Sequence, residues 1–141
     1  MPAARSSIFA PLTALLLALC IGAVWPVIGL VLGSDAYWMA LLAALVAAFG
    51  TGMLALRAAW LRAAVALALT CVSIAYAQFL NAAVLVTGAV GLPFRAVVTT
   101  MGADMALLLA RLRLSTAGAV VIAAALVLAA TIAALRAPTD P

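Results

Sequence analysis

Residues 93–114 read PFRAVVTTMGADMALLLARLRL, the one long stretch that is neither wholly apolar nor a short turn. At about 100° per residue, Phe94, Val97, Val98, Met101, Met105, Leu108, Leu109 and Leu112 share one face. Arg95, Thr99, Thr100, Asp104, Arg111 and Arg113 fall outside it. The pattern predicts a single amphipathic helix over 93–114. On either side the chain consists of long apolar runs joined by short connections, so this segment is where lipid headgroups, a partner or the end of the bundle should be met. The fold class that follows is an all-α integral membrane protein: a four-span transmembrane helical bundle, one membrane domain over 1–141, with one interfacial amphipathic helix between spans 3 and 4.

Composition supports that class. Of 141 residues, 71% are hydrophobic and 7% charged, with a mean hydropathy of +1.42, whereas a soluble domain carries about 25% charged residues. Seven arginines, with no lysine, stand against Asp35, Asp104 and Asp140 for a net charge of +4. The arginines punctuate the ends of apolar runs, as headgroup anchors do, and form no basic stretch suited to nucleic acid. Heavy use of Ala and Arg without Lys is the composition of a GC-rich genome, which points to a bacterial inner membrane.

Catalytic parts are scarce. The chain has no His and no Glu, so metal-site and general acid–base readings lack their residues, and no cofactor is expected. Neither a Gly-rich phosphate loop nor a nucleophile motif is present. Cys20 and Cys71 each lie inside an apolar run, where a thiol is ordinarily a small buried hydrophobe, and a disulfide would need the fold to bring them together.

The spans are expected at about 9–32, 36–56, 63–88 and 117–135. The first is too long for a signal-peptide core and stays in the mature protein, with a kink expected at Trp25-Pro26. Gly33, Ser34 and Asp35 make a turn, after which Tyr37 and Trp38 suit an aromatic belt. In the second span Ala40, Ala44, Ala48 and Gly52 recur every fourth residue, a small-residue packing stripe that serves either a homo-oligomer seam or a neighbouring span. The segment from Arg57 to Arg62 reads as a tight basic loop on the cytoplasmic side, with Arg5 and both termini there too. Ser115 and Thr116 begin the last span, Arg136 follows it, and the tail 137–141 is expected to be disordered.

The third span is the most polar. Thr70, Tyr76, Gln78 and Asn81 gather on one side, as either an interhelical clamp or the lining of a polar path. No ionisable side chain falls well inside any span, which removes the usual parts of a proton-coupled pump. Arg95, Asp104, Arg111 and Arg113 form a candidate interface or partner surface. The first functional expectation is an accessory or assembly subunit of a larger membrane complex, its partners the bilayer and another membrane protein or a second copy. The second is an oligomeric channel or transporter for a small neutral or weakly polar solute. An intramembrane enzyme relying on Asp104, Arg95, Arg111 or the cysteines ranks last.

Overall fold

A computed structural model describes residues 6–54 and 56–136, with side chains from residue 9 onward. Arg5 and the tail 137–141 lie outside the described residues. The chain forms α1 (Ser6–Leu32), α2 (Met39–Thr51, continued by a 3-10 turn at Gly52–Leu54), α3 (Ala59–Val90), α4 (Phe94–Thr100), α5 (Ala103–Arg113) and α6 (Thr116–Leu135), with no strand among the described residues. Three of these helices are long and apolar enough to cross a membrane: α1 from Phe9, α3 and α6. The shorter apolar helix Met39–Leu54 covers 16 residues, about 24 Å of rise, less than a hydrocarbon core of about 30 Å.

At the centre are α2 and α3, each packed against both α1 and α6. The contacts are made by the smallest side chains. Ala40, Ala44 and Ala48 of α2 and Ala125, Ala129 and Ala133 of α6 are all fully buried in one cluster with Ala66 and Ala77 of α3. Methyl groups at every fourth residue let helix backbones approach closely, so packing rather than water exclusion holds the helices together. Large apolar side chains point the other way: Leu16, Val27 and Val31 of α1 and Val120 and Val127 of α6 are all more than half exposed. Alanine inside and leucine or valine outside is the distribution expected when the surrounding solvent is lipid. The small-residue stripe of α2 is therefore consumed within the chain, except Gly52, which is exposed.

One end of the bundle is closed by Arg62. Instead of lying in a basic loop, Arg62 sits in the first turn of α3, which begins at Ala59, and is 6% exposed. Its Nε donates to the Ala133 carbonyl at 3.0 Å, Nη1 to those of Leu56 and Arg57, and Nη2 to those of Ala134 and Arg136. A guanidinium has five N–H donors, and here five carbonyl contacts meet them. Three of these acceptors are at the C-terminus of α6, where the helix dipole favours a cation. Nearby, the Arg136 guanidinium carbon lies 4.1 Å from the centroid of the Phe49 ring.

The segment 93–114 departs from the expectation of one continuous helix. It is two helices, not one, broken at Met101–Gly102, where both residues are extended. Just before the break the hydroxyls of Thr99 and Thr100 fold back onto carbonyls of their own helix. Gly102 is a poor helix former, and Asp104 then sits in the first turn of a new helix, where its charge suits the dipole. Val97, Met101 and Ala106 pack on Ala82 and Ala83 of α3, while Phe94, Met105, Leu108 and Leu112 are exposed.

Candidate functional site

The opposite end of the bundle holds the densest set of polar groups. Here α1 terminates through Gly33 in the left-handed region, φ 61°, with the Ser34 N–H donating to the Gly29 carbonyl. The chain then doubles back, Ala36 itself adopting φ 46°. That reversal brings the Asp35 carbonyl to the indole of buried Trp25, whose Nε1 donates to it at 3.1 Å. It also aims two side chains at the end of α5. Asp35 pairs with the Arg113 guanidinium, and the Tyr37 hydroxyl donates to the Arg113 carbonyl at 2.9 Å. Ser115 next caps α6, its Oγ accepting from the Gly118 N–H. The α1–α2 turn thus clamps the α5–α6 junction by one side chain and one backbone contact.

From α3, Gln78 and Asn81 face the same cluster and line a small space with Asp35, Tyr37 and Arg113. Neither amide hydrogen-bonds to a described residue, so both keep donors and acceptors free. Beside this space, an open crevice of about 580 Å³ runs between the C-terminal part of α1 and α3. Ser34, Asp35, Asn81 and Arg113 supply its polar side chains, while Pro26, Leu30 and Val84 are among its apolar walls. Its size falls in the range of ligand pockets, about 300–1,000 Å³.

Counting along α3 fixes the level of this cluster. From Arg62 to Asn81 is 19 residues, a rise of about 28 Å, close to the thickness of a hydrocarbon core. Beyond Asn81 the helix continues to Val90, about 14 Å further. On that overhang α4 and α5 are packed.

The residues singled out from sequence therefore separate. Gln78 and Asn81 come together with Arg113. Thr70 lies two turns lower, fully buried, its hydroxyl satisfied by the Ala66 carbonyl at 2.8 Å. Tyr76 is partly exposed and faces α1 beside Gly22. Arg95, Asp104 and Arg111 are exposed, and of the four charged residues in 93–114 only Arg113 forms an ion pair among the described residues. Cys20 and Cys71 are free and exposed. No group of three or more Cys, Asp, Glu or His side chains among the described residues suits a metal ion.

Two partners in this cluster escaped sequence reading. Asp35 reads as a turn former and Tyr37 as a belt aromatic, and nothing local in the chain pairs either with a residue more than 75 positions away. The available signal was the lone acid beside an aromatic at a span end, with Arg113 at another. No family model matches the chain, and comparison with curated proteins and with solved structures returns no match. What fold and site define is an all-helical chain whose three long apolar helices suit a membrane, with a polar cluster at one end.

Proposed function

We propose that this chain is a small polytopic protein of a bacterial inner membrane that serves as an accessory or assembly subunit of a larger membrane complex. In this reading α2 completes a fourth crossing with the turns that flank it, since it connects the Asp35 end to the Arg62 end. Both termini are cytoplasmic, with Arg5, Arg57, Arg62 and Arg136 on that side and Arg95, Arg111 and Arg113 on the other. The observation that carries the proposal is the outer face of α5. Met105, Leu108 and Leu112 are 49%, 59% and 76% exposed, on a helix packed against the part of α3 that overhangs the bundle. Apolar side chains displayed with Asp104 and Arg111 alongside suit a partner's surface at the membrane boundary.

The test is gentle detergent extraction followed by native mass spectrometry. A stoichiometric foreign membrane protein is expected, released when Leu108→Arg and Leu112→Arg are combined in a chain of unchanged helicity. Recovery of the bare chain or of a pure homo-oligomer removes the proposal.

The amides of Gln78 and Asn81, partly exposed and lining one small space, favour a second reading, a transporter or channel for a small neutral or weakly polar solute. Below them, however, the bundle is filled by Trp25, Thr70 and alanine methyls, all fully buried. Gln78→Leu with Asn81→Leu abolishes flux if this reading holds, and unchanged flux removes it.

A further inference from the structure

We infer that the crevice between α1 and α3 holds the head of a zwitterionic phospholipid, with the ammonium against Asp35 and the phosphate against Arg113. The inference concerns a lipid, not a protein partner, and does not rest on the accessory-subunit reading. Its first support is electrostatic. The charged groups lining the crevice are one carboxylate and one guanidinium, so the site carries no net charge but presents a strong local dipole. A net anion or cation meets as much repulsion there as attraction, whereas a zwitterion laid antiparallel to the pair satisfies both ends. The side chains of Arg113 and Asp35 are 44% and 39% exposed, so each keeps a face for a ligand while contacting the other.

A second support is the hydrogen-bonding inventory. Of the five N–H donors of Arg113, only one nitrogen is engaged by Asp35. The Asn81 amide beside it has no partner among the described residues. Together they offer several donors to phosphate oxygens, in the arrangement that favours bidentate recognition.

The third support is space and access. Gly33 and Gly88 line the crevice, and a Cβ added at either meets nothing within 4 Å. Leu30 and Leu85 line it too and are 64% and 37% exposed, so the mouth is continuous with the apolar outer surface. The polar groups sit about one hydrocarbon thickness from Arg62, at headgroup depth. A lipid arriving laterally leaves its acyl chains along that surface and places its head on the ion pair.

The full chain in mild detergent, titrated with dioleoyl phosphatidylethanolamine or dioleoyl phosphatidylglycerol and read by native mass spectrometry, tests this. One retained phosphatidylethanolamine per chain is expected, at least tenfold preferred over phosphatidylglycerol. Gly88→Trp, which fills the crevice from a position outside the polar contacts, lowers retention at least tenfold without changing helicity. Asp35→Asn, which takes away both the ammonium's partner and the charge that repels phosphatidylglycerol, removes the preference between the two lipids. Should Asp35→Asn fail to fold, Asn81→Leu, which lowers retention by taking donors from the phosphate, and Gly88→Trp carry the comparison. Equal retention of both lipids by the unaltered chain, or undiminished retention by Gly88→Trp, overturns the proposal. Displacement by free glycerophosphoethanolamine at the same concentration as the lipid also overturns it, since the ligand is then a soluble zwitterion.

Discussion

The ring of Tyr37 rests directly on the backbone of Gly118: a methyl group built there would lie 2.8 Å from both Cε2 and Cζ. Such contacts are closer than real carbon atoms tolerate, so the missing side chain is what lets the phenol reach the Arg113 carbonyl beyond it. Gly118→Ala must push the ring away and break that bond. A loss of about 1–3 kcal/mol is expected, read as a lower midpoint on unfolding in mixed detergent. Gly88→Ala, with nothing within 4 Å, should instead gain about 0.5–1 kcal/mol from helix propensity. Equal midpoints for the two variants would refute the steric account.

Arg62 is the corresponding fastener at the other end. Arg62→Gln leaves most of its five carbonyl contacts unmade and should cost about 2–3 kcal/mol, the scale of charged hydrogen bonds. Arg62→Lys keeps the charge but has only three donors on a flexible stem, so it recovers part of the loss. The same unfolding titration ranks the three chains, and full recovery by lysine would show that charge alone matters.

Ser73 offers a change in the opposite direction. It is 1% exposed, and its Oγ has no hydrogen-bond partner among the described residues. An unpaired buried hydroxyl is a cost, so Ser73→Ala should raise stability by up to about 1 kcal/mol. A clear loss would mean that the hydroxyl is satisfied by a bound molecule.

The orientation of α5 can be read by thiol labelling in a Cys20→Ala, Cys71→Ala background. Leu108→Cys should react with a maleimide in detergent at least ten times faster than Ala106→Cys, since Leu108 is 59% and Ala106 6% exposed. Equal rates would refute the packing of α5 on α3 through Ala106.

By itself the sequence determined a helical chain with three helices long and apolar enough to cross a membrane: runs without charge over 9–32, 63–88 and 117–135 suit helices that satisfy their own backbone. It also supplied the alanines every fourth residue, whose spacing fits a close helix contact. It did not determine what that contact was with, nor which face of 93–114 turns inward. Those were decided by the tertiary structure, because small-residue spacing fits any close helix contact and the apolar face of an amphipathic helix suits lipid as well as a neighbouring helix. In the fold Ala106 packs against Ala82 and Ala83 of α3 while Leu108 is left exposed. The cluster of Asp35, Tyr37, Asn81 and Arg113 likewise exists only once the ends of α1 and α5 meet beside Asn81 of α3. Its members are separated by long stretches of chain, and no local pattern carries the ion pair between them.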